Sequence, residues 1–230
     1  MSDTARDRII DAALHLLDAG GPEAMSTRAV GAAAGVQAPT IYRLFRDKDG
    51  LLDAVTERRF EEYLAAKTQR DHDEDPVQDL RRGWDLHIGF GLANPAVYVA
   101  LYGAPRPGGP AAAVRRSEEI LVAMMRRVAA AGRLRVDEST AAQVFHAAGR
   151  GTTLLLIATP EAERDPQVPL LAREAMIAAL TTDAPATGAQ DPLGVAARTI
   201  RAALPEADAL TRAERGLLAE WLDRLAAPGR

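Results

Sequence analysis

One stretch near the N terminus, GAAAGVQAPTIYRLFRDKDGLLDAV at residues 31–55, constrains the fold more than any other part of this sequence. Gly35 follows an Ala-rich run and stands where a helix would end in a left-handed cap. Pro39 then falls in the first turn of another helix, where its missing N–H costs little. Asp47 can cap the apolar run that follows it. The stretch predicts two short helices joined by a tight turn, with a longer helix directly after them.

The segment before this stretch continues the helical pattern. Residues 4–19 carry apolar side chains at helical spacing, and the Gly-Gly-Pro that follows ends the run. Ser26 or Thr27 can cap the next helix, over residues 27–34. The N-terminal region therefore predicts a helical unit that contains a helix-turn-helix.

The rest of the chain is also helical in pattern, because Ala, Leu, Arg and Glu are frequent and no alternating strand pattern stands out. Polar or Pro-Gly-rich linkers are predicted at 69–76, 103–110 and 181–192. Helices are predicted at roughly 76–93, 95–104, 110–131, 138–159, 166–182 and 210–227.

We therefore predict an all-α fold with two domains. The helix-turn-helix domain spans 1–50 and a larger helical domain spans 51–230, in which residues 184–230 form a C-terminal helical extension. Trp221 and its Leu neighbours in this extension are expected to be buried, because an exposed patch of that size would be an association site.

Composition narrows the class of protein. The chain has 230 residues, a formal net charge of −4 and no cysteine, which excludes disulfides and thiolate metal sites and suits a reducing cytoplasm. No apolar run approaches the length of a membrane span, and the amphipathic N terminus does not resemble a signal peptide. We therefore expect a cytoplasmic protein.

The helix-turn-helix carries residues suited to DNA. In this motif the second helix lies in the major groove with its N-terminal residues at the base edges. Ala38 and Thr40 are small enough for close approach, and the Thr methyl can contact a thymine methyl. Gln37 and Arg43 can donate to base edges or phosphate, and the Tyr42 hydroxyl can donate to a phosphate.

Charge and helix ends support the same interpretation. Thr27 and Lys48 stand at helix N-termini, where backbone N–H groups favour a phosphate. The segment from Thr27 to Lys48 contains four basic side chains, among them Arg28 and Arg46, and one acidic side chain, Asp47. Its net charge is therefore +3, although the whole chain is acidic. Phosphate contact depends on this local charge rather than on the total.

Taken together, STRAVGAAAGV, APTIYRLF and DKDGLLDAV resemble the N-terminal domain of the TetR family of transcriptional regulators over roughly residues 5–55. Gln37 departs from the family pattern, which usually has a capping Ser, and Gly50 departs from a common Glu or Gln. Both departures concern local stability more than function. The DNA-contacting residues expected from the motif and the resemblance are Thr27, Arg28, Gln37, Ala38, Pro39, Thr40, Tyr42, Arg43 and Lys48.

The resemblance implies that the second domain is helical, forms a homodimer and encloses an effector cavity. Residues 141–160 and 170–180 resemble the two helices that form the four-helix dimer interface of the family, so homodimerisation through about 141–182 is expected. Small side chains would permit close helix approach there: Ala147, Ala148, Gly149 and Gly151. The alternative is a helix pair buried within one monomer.

A small apolar or aromatic effector would contact polar and aromatic residues on otherwise apolar helices. His146 and Arg150 form an i,i+4 pair that could hold an anion or a carbonyl group. The alternative is that these side chains belong to the ordinary core. The candidates are Trp84, His87, Phe90, Tyr98, Tyr102, Met124, Phe145, His146 and Arg150.

The resemblance implies a ligand-responsive regulator, most commonly a repressor that binds an inverted-repeat operator in double-stranded DNA. Two other functions stay open: an effector-independent DNA-organising protein and a helical protein-interaction module. An enzyme is disfavoured, because DHDED at 71–75 has no partner motif and no catalytic signature is present. We expect no cofactor and no metal.

Overall fold

The computed structural model describes residues 4–68, 74–103, 112–183 and 192–226. Over these ranges the chain is helical, with two short 3-10 turns at Glu161–Glu163 and Leu204–Glu206 and one isolated antiparallel bridge between Leu134 and Thr181. The all-α prediction is confirmed. The helices are α1 Ala5–Ala24, α2 Thr27–Ala34, α3 Ala38–Phe45, α4 Lys48–Thr68, α5 Pro76–Ala93, α6 Pro95–Tyr102, α7 Ala112–Ala130, α8 Glu138–Ala158, α9 Gln167–Leu180, α10 Pro192–Ala203 and α11 Arg212–Ala226.

The predicted helix ends agree with the structure wherever a local signal marks them. Helix α1 is broken at Gly20 and Gly21, and Gly21 has a φ of 68°, a conformation that residues with a Cβ rarely adopt. The regular part of α1 therefore ends where the Gly-Gly-Pro predicted, although a short helical turn continues to Ala24. Most residues of the three predicted linkers lie outside the described ranges.

The C-terminal extension differs from the prediction in two respects. Helix α10 was not among the individually predicted helices, because it begins at Pro192, directly after a Pro-containing linker, although the extension was predicted to be helical. The expectation that Trp221 is buried is wrong within this chain: Trp221 is 49% exposed, and its neighbour Leu222 is buried instead. The physical reason is that α11 packs on α10 through the face that carries Leu222, which turns Trp221 outward.

The described residues pack as two units. The first unit comprises 1–70, 86–117 and 153–164. In it, α1 packs against α2 and α4, α2 against α3, and α3 against α4, around buried side chains such as Ile10, Val30 and Ile41. Arg58 of α4 bonds Asp7 of α1 at 2.6 Å. This arrangement holds the two short helices of the helix-turn-helix on a small apolar core.

The second unit comprises 71–85, 118–152 and 165–230. Ion pairs join its helices: Arg81 of α5 bonds Glu174 of α9 at 2.8 Å, and Arg173 of α9 bonds Asp85 of α5 at 2.6 Å. Its last two helices, α10 and α11, form a hairpin with a core of their own, which is described below. The predicted boundary after residue 50 stays a prediction.

Two further properties of the described ranges concern the apolar length of the helices and the grouping of His, Asp and Glu side chains. None of the helices there is both long and apolar enough to cross a membrane. No group of three or more His, Asp and Glu side chains is placed to hold a metal ion in the described part of the chain, and Asp71, His72 and Asp73 of DHDED lie outside it.

Candidate nucleic-acid interface

The turn between α2 and α3 is closed by backbone contacts at two glycines. Helix α2 begins at Ser26, whose hydroxyl accepts a hydrogen bond from the Ala29 N–H at 3.1 Å. It ends at Gly35, which has a left-handed φ of 66° as predicted. The Val36 N–H donates to the Gly31 carbonyl at 2.9 Å, and a Cβ on Gly31 would lie 2.9 Å from the Val36 carbonyl oxygen. The tight turn therefore depends on glycine at both positions.

Helix α3 begins without a side-chain cap. Gln37 has extended backbone and makes no capping hydrogen bond, which confirms the weak cap expected there. Pro39 stands in the first turn, and Ile41 and Phe45 are buried beneath the helix. Because one face of α3 is fixed on the core, its other face points away from it. Gln37, Pro39 and Tyr42 are exposed on this free part, and Tyr42 is 51% exposed.

The junction between α3 and α4 is strained. Arg46 has φ 70° and ψ −53°, and it is the only residue other than glycine with a positive φ in the described ranges. The Asp47 N–H donates to the Phe45 carbonyl at 2.9 Å, so Arg46 is the centre of a three-residue γ-turn with the rarer, strained sign of φ. Asp47 then caps α4 as predicted, because its carboxylate accepts the Gly50 N–H at 2.7 Å.

The basic side chains of this region have no anionic partner in the part of the chain that the structure describes. Arg28, Arg43, Arg46 and Lys48 are exposed, and none of them forms an ion pair with a residue in the described ranges. Arginines elsewhere in the first unit do pair with carboxylates, as Arg59 does with Asp18 at 3.0 Å. The turn and α3 therefore present unneutralised positive charge and hydrogen-bond donors on one small surface, which suits a polyanion.

All nine residues predicted to contact DNA lie at least partly at the surface, and none is buried. The structure places them on α2, the turn, α3 and the first residue of α4. Arg46 was counted in the local charge but was left out of the predicted contacts. Its position in the strained turn could not be read from the sequence, because a positive φ at Arg has no sequence signal.

Four of the predicted effector residues lie together in the first unit. The His87 Nε2 is 2.6 Å from the Tyr98 hydroxyl, and the rings of Phe90 and Tyr102 lie in the same aromatic cluster. Sequence reasoning missed two members of α4: Phe60, which contacts Phe90 and Tyr102, and Tyr63, whose hydroxyl is 3.5 Å from His87 Nδ1. Burial raises the pKa of Tyr63, against the opposing effect of a hydrogen bond with Ser117. The spacing of Phe60 and Tyr63 on one helix face was the available signal.

The other five predicted effector residues lie in the second unit. Trp84 packs edge-on against Phe145, with ring centroids 5.2 Å apart, and its indole Nε1 is buried without an acceptor among the described residues. A Cβ on Gly83 would lie 3.0 Å from the Met124 methyl carbon, so Met124 also packs on this helix. His146 Nδ1 lies 3.5 Å from Glu118, and Arg150 is half-buried. A single pocket that joins all nine residues stays a prediction.

The helices expected to form a dimer interface leave apolar residues at the surface of the chain. On α8, Val144 and Leu155 are exposed, and the exposed small residues Ala147 and Gly151 share that face by spacing. On α9, Leu171 is 67% exposed. Of the other two small residues predicted there, Gly149 is buried and Ala148 is half-buried.

Comparison with known proteins finds sequence similarity over the N-terminal region. The family model described as bacterial regulatory proteins, tetR family, matches residues 9–55. The tetracycline repressor protein class C of Escherichia coli is 36% identical over 74 residues, which cover 32% of this chain and 34% of that protein. The HTH-type transcriptional repressor KstR of Mycolicibacterium smegmatis is 45% identical over 65 residues, which cover 28% and 31% of the two chains.

These matches cover about a third of the length of either relative. The fold is similar over a larger share. A protein with unknown function from Rhodococcus sp. RHA1 superposes with a TM-score of 0.66 at 24% identity, and the match covers 78% of this chain and 96% of that one. At that identity the superposition shows a shared fold, whereas the family model matches residues 9–55, which include the helix-turn-helix.

Proposed function

We propose that this chain is a homodimeric transcriptional regulator of the TetR family that binds an inverted-repeat operator, because residues 9–55 match the family model and two repressors are similar to it over about a third of their length. The observation that carries the proposal is the surface of α2, the turn and α3, where every expected contact residue is accessible and four cations lack an ion-pair partner in the described ranges. The function is non-enzymatic, and we expect it in the cytoplasm. Both similar relatives are named as repressors, which favours repression as the sign of regulation.

In the proposed complex α3 lies in the major groove. Gln37 and Thr40 face the base edges, where a donor and a methyl group distinguish base pairs, and Arg43 extends to a phosphate. Tyr42 and the N-termini of α2 and α4, at Thr27 and Lys48, contact phosphates, because backbone N–H groups and positive charge meet there. These phosphate contacts orient α3, and the base contacts select the sequence.

Dimerisation through α8 and α9 gives the operator its symmetry. Two recognition helices related by a two-fold axis enter successive major grooves, roughly 34–36 Å apart, so the operator is an approximate inverted repeat. The exposed Val144, Leu155 and Leu171 support this interface, because apolar side chains on two long helices can pack against a second copy. A Leu171→Glu variant that stays at the wild-type mass in sedimentation would count against it.

A small apolar or aromatic effector would act by population shift. It would bind preferentially to a state in which α3 of the two copies no longer matches the groove spacing, and it would lower DNA affinity by a coupling free energy of about 1–3 kcal/mol. Three groups support this part of the proposal: the part-buried His87–Tyr98 pair, the Trp84 N–H without an acceptor in the described ranges, and the half-buried Arg150. The nine candidate residues listed from the sequence remain the proposed contacts.

Titration of labelled duplex DNA at several salt concentrations tests the regulator against its rivals. A ligand-responsive regulator binds a specific duplex with an affinity that falls steeply as the salt concentration rises. A small molecule found by screening releases the protein from the DNA. His87→Ala or Arg150→Ala should abolish release while folding and DNA binding persist. Loose sequence preference without any effector would favour a DNA-organising protein, and no DNA binding by a folded dimer would favour a protein-interaction module.

A further inference from the structure

Helices α10 and α11 form an antiparallel hairpin inside the second unit. The Arg198 side chain near the start of α10 donates to the Ala226 carbonyl at the end of α11 at 3.3 Å, and Arg201 bonds Asp223 at 2.9 Å. Between the helices lies a core of buried Ala197, Leu204 and Leu222. One face of each helix is therefore buried inside the hairpin, and the remaining faces lie outside this core.

Each helix of the hairpin carries a second apolar stripe that is exposed. On α10 the stripe is Leu193, Ala196, Ile200 and Ala203, at the three-four spacing of a helix-packing seam. On α11 it is Leu217, Trp221 and Leu225, one helical turn apart. The five large side chains among these are each about half exposed.

The two stripes lie on the same side of the hairpin. At about 100° per residue, the α10 stripe is centred about 80° back from Ala197, and the α11 stripe about 100° back from Leu222. Because the two helices run in opposite directions, rotations of the same sign carry both stripes to one side. Together they form a single two-helix apolar surface, which we call the hairpin face.

The residues outside the described ranges are poor in large apolar side chains that could pack on the hairpin face. They are residues 1–3, 69–73, 104–111, 184–191 and 227–230, and apart from Met1 they contain no aliphatic side chain larger than Ala or Pro and no Phe, Tyr or Trp. A complementary apolar surface must therefore come from elsewhere. Residues 192–226 carry no excess of positive charge, which argues against an anionic membrane or a nucleic acid as the occupant.

Charge and area favour a second copy of the same hairpin. Residues 192–226 contain five arginines and five acidic side chains, so two copies meet without net repulsion. Five half-exposed large side chains present on the order of 500 Å² per copy, about 1,000 Å² for a pair, which reaches the lower limit for a specific interface. Two hairpins packed face to face form a four-helix bundle, which is a common helical packing.

We propose that the hairpin face is a self-association surface, covered in solution by the α10–α11 hairpin of a second copy. This interface is separate from the one proposed for α8 and α9, and it assigns a role to the C-terminal extension. When both interfaces form with different copies and their two-fold axes close the assembly, it is a dimer of dimers, which can occupy two operators together.

Sedimentation of the full chain over a range of concentrations tests the proposal. Trp221→Glu places a charge in the hairpin face and should halve the assembly mass relative to wild type. Ile200→Glu places a charge in the α10 stripe of the same face and should have the same effect. Gly216→Glu is the matched control, because Gly216 is exposed on the other side of α11 with no atom within 4 Å of an added Cβ. The control should keep the wild-type mass.

Thermal unfolding followed by circular dichroism shows whether each variant remains folded. If both Glu variants are folded and keep the wild-type mass, the proposal is overturned and the hairpin face belongs to a different protein. If Gly216→Glu also halves the mass, the effect is not specific to the hairpin face, which equally overturns the proposal. Because α8 and α9 are unchanged in these variants, failure here leaves the DNA-binding dimer untouched.

Discussion

A Cβ atom added to Gly50 would lie 2.1 Å from the carbonyl oxygen of Phe45. This contact explains why position 50 is a glycine rather than the Glu or Gln of the family pattern. Gly50 also donates its N–H to Asp47, so the first turn of α4 is drawn tightly against the end of α3. The close approach fixes how the start of α4 packs against the end of α3.

Gly50→Ala should destabilise the protein, although alanine is the better helix former. The added methyl group meets a backbone oxygen rather than a movable side chain, and we expect a loss of about 1–3 kcal/mol in the free energy of unfolding. Gly216→Ala is the control, since an added Cβ there meets nothing within 4 Å, and it should stabilise by about 0.5–1 kcal/mol. Urea denaturation of both variants measures the difference; equal shifts of the same sign would contradict the close contact.

Arg46 offers a second test of the same junction. Glycine relieves the strain of the positive φ, so Arg46→Gly should be about 1 kcal/mol more stable than Arg46→Ala, which keeps the strain and removes the same charge. Comparing these two variants separates backbone strain from electrostatics. The outcome that would count against a strained turn is an alanine variant as stable as the glycine variant.

The four basic side chains without an ion-pair partner in the described ranges predict how DNA affinity depends on salt concentration. Arg43→Ala should lower the slope of log K against log salt by about 0.9, because one phosphate contact and its released counterion are lost. Arg212→Ala, an exposed arginine of α11, should leave the slope unchanged. Fluorescence anisotropy with labelled duplex DNA measures both slopes. An unchanged slope for Arg43→Ala would remove this side chain from the phosphate contacts.

Glu174 predicts a pH dependence of stability in the second unit. The Arg81 side chain, followed by Arg173, lowers the pKa of Glu174 below its ordinary value of 4.5 by hydrogen bonding. A carboxylate with a depressed folded-state pKa stabilises above the unfolded value, and this contribution is lost as the pH falls through the folded pKa. Glu174→Gln should therefore be less stable than wild type at neutral pH, with a difference that begins to shrink below pH 4.5.

Thermal unfolding at several pH values checks this dependence, and Glu220→Gln, an exposed change on α11, is the control. The difference between wild type and Glu174→Gln should disappear in strong acid, where the carboxyl group is protonated in both states. A difference that is constant with pH would show that the effect comes from packing and not from the charge of Glu174.

Local signals in the sequence were sufficient for most helix ends. Gly35 ends α2 and Asp47 caps α4 as predicted, because both act through bonds within a few residues of themselves. The exposed set around Tyr42 and Arg43 was also predictable, since periodicity separates it from the buried face of α3. Features that depend on distant packing were not predictable: the outward position of Trp221 and the contact of Tyr63 with His87.

Selection of bound sequences from a random duplex pool tests whether α3 recognises an operator. Wild-type protein should enrich an inverted repeat, and Tyr42→Phe and Arg43→Ala should each weaken that enrichment while the protein stays folded and keeps its assembly mass. Such a result would establish α3 as the recognition helix of a dimeric regulator. If a folded wild-type dimer enriches no sequence even at low salt, the α2–α3 surface is not an operator-binding site.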